Sequence, residues 1–289
     1  MSVANARGSL ANLLAFGLVV ALVGMVAGCP SPEADIEKSN KRLDIAKDAL
    51  GHNNLDMAEA EASKAIAFNK ANDEAWNIRG LVSIVRAFGV QRTLEIDGCL
   101  TGVDAESTHQ DLDAFLKKAD ADFQGAIKAN PEYGEAYSNR GLVANLLEDY
   151  ASAATLYSKA LEFPFHLGDT AVTRAGLGWA YFNQEKFVDA AKELRTVLQF
   201  KPKMCIGNFR LGRVYFARQE WDKAAESFQT ASEDASCASQ EASYYLMKTR
   251  MQQGLMTEAR AARDACLKLS PKSCIANKCL AEGAALGAP

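Results

Sequence analysis

Residues 171–204 read AVTRAGLGWAYFNQEKFVDAAKELRTVLQFKPKM, and residues 205–238 read CIGNFRLGRVYFARQEWDKAAESFQTASEDASCA. Laid over one another they repeat: Gly178 and Gly212, Tyr181 and Tyr215, and Ala190 and Ala224 each stand 34 residues apart. In both stretches apolar residues recur at helical spacing in two runs, with a short polar break between them, which spells two antiparallel helices. Small residues at Gly178 and Ala190 let the two helices approach closely. One such pair cannot bury its own apolar face, so the copies must stack.

Working outward, the same unit recurs. Residues 134–167 carry Tyr137, Gly141, Ala144, Tyr150, Ala153, Tyr157 and Ala160, and residues 39–72 carry Ala46, Ala58 and Ala65. A last unit near 240–273 has Gly254, Ala259, Cys266 and Pro271, shifted by one residue. The second unit is split. Trp76 and Gly80 fit its first helix and Ala119, Phe123, Ala126 and Pro131 fit its second, with an insertion at about 89–110 between them. A 34-residue period with small residues at positions 8, 20 and 27 and Pro at 32 resembles the tetratricopeptide repeat. The resemblance implies an all-α fold: a right-handed superhelical stack of about six repeats over 39–273, closed by a capping helix within 274–289.

Residues 1–28 read as an export signal, with Arg7 in the n-region and no charge from Leu13 to Gly28. The run ends in Val26-Ala27-Gly28-Cys29, which resembles the bacterial lipobox. That family acylates the Cys, here Cys29, after cleavage before it. Several acyl chains, at about 0.8 kcal/mol per buried CH₂, hold a protein on a membrane where one would not. The competing reading is an ordinary secretory signal or an uncleaved anchor with Cys29 incidental. Pro30 rather than Asp at the next position implies, by the same resemblance, the outer membrane, with the body in the periplasm. Residues 29–38 are then the lipidated Cys and a tether.

Cysteine usage agrees with export. Six cysteines follow Cys29, and an even number outside the cytoplasm suggests disulfides. Cys266 and Cys279 flank the turn near Lys272 at similar distances, so they should face each other across a helical hairpin. Cys205 and Cys237 fall in successive inter-repeat turns and form the second candidate pair. Cys99 and Cys274 find no place by this reasoning. No CxxC and no Cys/His ligand spacing occurs, so no metal is expected, and the lack of CxxCH leaves no haem attachment.

Chemistry is hard to find in this chain. With 32 basic and 36 acidic residues the net charge is −4, which argues against a nucleic-acid partner. At 48% hydrophobic and 24% charged, the chain is neither disordered nor wholly embedded in a bilayer. The three histidines, His52, His109 and His166, fall in turns, the insertion and a loop, with no partner at catalytic spacing. There is no GxSxG, phosphate loop or HExxH. Asp111, Asp113, Asp120 and Asp122 read as wet helix faces. The expectation is a non-enzyme with no cofactor and no small-molecule substrate.

Binding is the better reading. By the register of the resembling family, the first helix of each unit turns positions 2, 5, 9, 12 and 13 toward a concave groove. That selects Trp179, Phe182 and Asn183 in unit four, and Ile206, Phe209, Arg213 and Phe216 in unit five. It also selects Tyr244, Lys248 and Met251 in unit six and Leu142, Asn145 and Leu146 in unit three. Aromatics with cations are common anchors for a bound peptide or helix. The alternative is that these aromatics fill space between helices. The family's chaperone-tail clamp is not reproduced by Lys47 and Asn77 alone.

A lipid-anchored stack of six such repeats resembles the pilotin lipoproteins of type IV pilus systems, which bind the secretin subunit and assist its assembly in the outer membrane. The split second unit and the extra cysteines depart from that family. The alternative is another envelope scaffold: a gliding-motility subunit, or an adaptor for a protease or peptidoglycan enzyme. Outer-membrane β-barrel assembly lipoproteins have similar repeats but usually fewer.

Overall fold

The computed structural model describes residues 32–233 and 239–287. These form thirteen α-helices, with no strand among the described residues. Six antiparallel pairs follow in order: α1 (Pro32–Gly51) with α2 (Leu55–Phe68), α3 (Asp73–Arg92) with α4 (Gly102–Ala129), and α5 (Gly134–Leu146) with α6 (Tyr150–Ala160). Then come α7 (Thr170–Asn183) with α8 (Phe187–Phe200), α9 (Cys205–Ala217) with α10 (Trp221–Ser232), and α11 (Ser239–Gln252) with α12 (Met256–Leu269). The capping helix α13 (Cys274–Glu282) closes the right-handed stack. No described helix is long and apolar enough to cross a membrane. The signal segment, Cys29 and the first part of the tether lie outside the described residues.

The turn inside a unit is one device used five times. Asn53, Glu148, Glu185, Gln219 and Gly254 all take the left-handed backbone conformation, with φ between 56° and 75°. In each case the next residue's N–H donates to the carbonyl five residues back, as from Asn54 to Ala49 and from Lys186 to Tyr181. This double-bonded helix stop fills carbonyls the helix end leaves orphaned, and the same next residue is the N-cap of the second helix. Only Gly254 does so without a Cβ penalty.

Close approach between paired helices depends on the small residues. A Cβ on Gly178 would sit 2.7 Å from Leu194 Cγ, and one on Gly212 would sit 2.7 Å from the Phe228 ring. Opposite them Ala190 and Ala224 are fully buried. The core is a chain of clusters in which Leu194, Val197 and Val214 lead on to Phe228 and Met247. Apart from the contact of the unit-two insertion with the cap, helix approach is between neighbouring units, as expected of a solenoid.

Two boundaries differ from the sequence reading. Residues 32–38, expected in the tether, are the first two turns of α1. Pro32 supplies a fixed φ at the helix start, and Glu33 and Asp35 in the first turn oppose the helix dipole. The insertion is largely helical. It lengthens α3 to 20 residues and α4 to 28, joined through a π-helical turn at Thr93–Asp97. The split did not change the pairing: the position of a Cβ on Gly80 is 2.6 Å from the Phe123 ring, across 43 residues of sequence.

The lengthened hairpin is a strap. Its tip reaches the far end of the stack, where Cys99 is bonded to Cys274 at the start of α13. Cys266 of α12 is bonded to Cys279 of α13. The Cys205–Cys237 pair includes residue 237, which lies outside the described residues.

Candidate partner-binding groove

The first helices of successive units place the aromatic side chains. Trp179 and Phe182, one turn apart on α7, stack at 5.0 Å between ring centroids, and Phe187 at the start of α8 tilts against Phe182 at 5.8 Å. A second group forms where units five and six meet. Phe216 lies 5.6 Å from Tyr245 and 5.2 Å from Trp221, and Phe209 lies 6.2 Å from Tyr245. Arg213 joins the two groups, its guanidinium carbon 5.2 Å from the Phe182 ring, 5.5 Å from Trp179 and 4.1 Å from Tyr245. Trp179, Phe182, Arg213, Phe216 and Tyr245 are all half-buried.

Three residues assigned to the groove from sequence do other work. Phe209 is 5% exposed and belongs to the core between α9 and α10. Its ring packs against Phe228 at 6.1 Å between centroids. Tyr244 and Lys248 are taken by the capping helix. Lys248 Nζ is 2.8 Å from Glu282 Oε2, and the Tyr244 hydroxyl donates to the same carboxylate. The Lys248 and Tyr244 donors hold the Glu282 carboxyl below the usual carboxylate range. Ile206 and Met251 pack partly buried against the core, and Asn145 Nδ2 donates to the Gly176 carbonyl at 3.2 Å. Asn183 bonds back to the Trp179 carbonyl. Lys47 pairs with Glu74, and Asn77 accepts from Asn139 at 2.9 Å, so both positions of the would-be clamp are occupied.

Sequence reasoning missed Arg210 and Tyr245. Both stand at the sixth position of their units, one past the fifth. The signal was present at the same position of unit four, where Gly176 leaves room for the Tyr157 ring: a Cβ there would be 2.4 Å from Tyr157 Cζ. Arg210 lies 5.6 Å from the Trp179 ring, and burial lowers its guanidinium below the ordinary arginine value.

A separate cavity of about 1130 Å³ opens between the strap and unit six, walled by Phe88, Leu94 and Ile96 on one side and Glu241, Leu269 and Ile275 on the other. Burial pushes the Glu241 carboxyl up, against the opposing charge of Arg213. His109 is on this wall, His52 is exposed beside Asp48, and His166 ends a short 3₁₀ turn. No group of three or more His, Cys, Asp or Glu side chains among the described residues could hold a metal ion.

The tetratricopeptide repeat family model matches residues 115–166 and 209–273. These segments hold the second helix of unit two with unit three, and units five and six. No curated protein matches the chain in sequence. Among solved structures, the chain is similar to PilW, described as a widely conserved type IV pilus biogenesis factor. The TM-score is 0.66 at 17% identity, over 84% of this chain and 98% of that one. It is similar to PilF of Pseudomonas aeruginosa, with a TM-score of 0.63 at 12% identity over 86% and 99%. It also matches a chain of the APC/C Cut9–Hcn1 hetero-tetramer, TM-score 0.66 at 14% identity, over 86% of this chain but 43% of that one. Identities this low carry the fold alone. Tetratricopeptide repeats bind protein partners.

Proposed function

We propose that the chain is a lipid-anchored, periplasm-facing binding scaffold of the bacterial outer membrane, a pilotin that assists secretin assembly for type IV pili. The observation that carries this reading is one of length. After the lipobox at Cys29 the chain folds as six repeats and a cap, and it matches the type IV pilus biogenesis factor PilW over 98% of that chain. The Trp179, Phe182 and Phe216 faces would receive a segment of the secretin subunit. A rigid stack presents them already ordered, which lowers the entropic cost of binding. The disulfide-closed strap favours a second reading, a scaffold or adaptor of another envelope machine such as a gliding-motility, protease or peptidoglycan-enzyme complex.

The experiment is affinity capture from detergent-solubilised envelopes with the wild type and Trp179→Ala/Phe216→Ala, scored for secretin multimers, with circular dichroism of both proteins. Truncating such anchors typically costs about 2–4 kcal/mol, roughly 30-fold or more in affinity. Secretin recovered with the wild type and lost with a helical variant supports the pilotin. Another envelope protein recovered in the same groove-dependent way moves the function to the second reading. Fatty-acid labelling that persists in Cys29→Ser would remove the lipid anchor from both.

A further inference from the structure

Two arginines on α9 differ from every other arginine among the described residues. Arg42, Arg79, Arg86, Arg92, Arg140, Arg174 and Arg218 each pair with a carboxylate. Arg195, Arg250, Arg260 and Arg263 donate to carbonyl oxygens of the backbone or of a side-chain amide. Arg210 and Arg213 do neither, and their contacts are with aromatic rings. Both lie over the same indole, at 5.6 and 5.5 Å from the Trp179 ring, and Arg213 is also held against Phe182 and Tyr245. A guanidinium held against a ring face is fixed in orientation while the N–H donors along its edge stay available. The charge of Arg213 acts on the Glu241 carboxyl of α11, and no ion pair joins the two.

Two oriented cations without an ion pair among the described residues, walled by aromatic rings, are complementary to carboxylates interleaved with apolar groups. We propose that Arg210 and Arg213 form a carboxylate-binding fork, and that the occupant is an extended protein segment alternating acidic and apolar side chains. Its carboxylates take the guanidinium edges, and its apolar side chains lie on Trp179, Phe182 and Phe216. This rests on the groove reading above and specifies which segment the groove takes. Charge-assisted bidentate pairs are the strong class of hydrogen bond, and Arg forms them where Lys does not.

The test uses the full-length protein in detergent and two fluorescein-labelled peptides, one alternating Leu and Glu, the other alternating Leu and Gln. Anisotropy titrations should show the Leu–Glu peptide bound about 30-fold more tightly, the scale of one or two charged hydrogen bonds. Arg210→Gln/Arg213→Gln should erase the preference while leaving the helical signal unchanged. Arg210→Lys/Arg213→Lys should keep only part of it. Glu241→Gln, which removes the nearby competing carboxylate, should tighten the Leu–Glu peptide. Equal binding of the two peptides overturns the fork. If Trp179→Ala then weakens both alike, the groove reading survives and only the fork falls. Binding of neither peptide overturns both. Arginine-dependent capture of phosphatidylglycerol vesicles in place of the Leu–Glu peptide would assign the pair to a lipid headgroup and overturn the proposal.

Discussion

Cutting the strap should loosen the C-terminal third of the molecule while leaving its centre intact. The perturbation is Cys99→Ser/Cys274→Ser, which removes a cross-link between residues 175 apart in sequence. On the chain-entropy account, closing a loop of that size removes about 5 kcal/mol of freedom from the unfolded chain, against about 3 kcal/mol for the 13-residue Cys266–Cys279 loop. The larger figure is a ceiling, because a solenoid opens from its ends rather than all at once. In the wild type the strap ties the cap, which would fray first, to unit two, so opening α11–α13 means also detaching the strap. The assay is urea unfolding followed by circular dichroism, together with native-state hydrogen exchange. The variant should show a lower midpoint, with protection lost in α11, α12, α13 and the strap turn Thr93–Asp97 and retained in α7 and α8. The wild type treated with reductant should behave similarly. Cys266→Ser/Cys279→Ser should loosen the cap alone. An unchanged midpoint together with unchanged exchange at the strap would refute the view that this bridge closes the stack.

Ala190 is fully buried where α7 and α8 meet, so Ala190→Leu should lower stability by about 1–3 kcal/mol in urea titrations, whereas Lys192→Ala on the outer face of the same helix should barely register. Glu185 holds a left-handed conformation that costs a non-glycine residue about 1–2 kcal/mol, partly offset by glycine's larger entropy loss, so Glu185→Gly should raise the stability in urea titrations by up to about 1 kcal/mol. The folded Glu282 carboxyl is depressed by its Lys248 and Tyr244 donors, so its contribution is present above the ordinary carboxylate pKa and lost as pH falls through the folded value. Docking of α13 should therefore weaken on acidification, and the thermal midpoint of Glu282→Gln should fall less than the wild type's between about pH 7 and pH 3.

The repeat architecture was legible because its causes are local. Gly178 and Gly212 recur with Ala190 and Ala224 because each unit solves the same packing problem, and helical periodicity reports each pair independently of its surroundings. Cys266 and Cys279 were placed together for a similar reason: only 13 residues and one turn separate them. The groove was legible in part. Trp179, Phe182, Arg213 and Phe216 come together as their register implied, but Phe209 turned inward, and Arg210 and Tyr245 at the sixth positions took the face. A fixed register treats every unit alike, whereas the packing at each interface sets which position is buried, as Phe209 is between Phe228 and Tyr245.

The sequence by itself therefore determined the unit, its repetition and the small residues on which each pair closes. Tertiary structure alone decided that Cys99 meets Cys274, that Lys248 and Tyr244 serve the cap, and that Arg210 and Arg213 lie against aromatic rings. These are consequences of curvature. The distance between the unit-two strap and the cap depends on a small rotation added at every interface between them, and no single repeat carries that sum in its own residues.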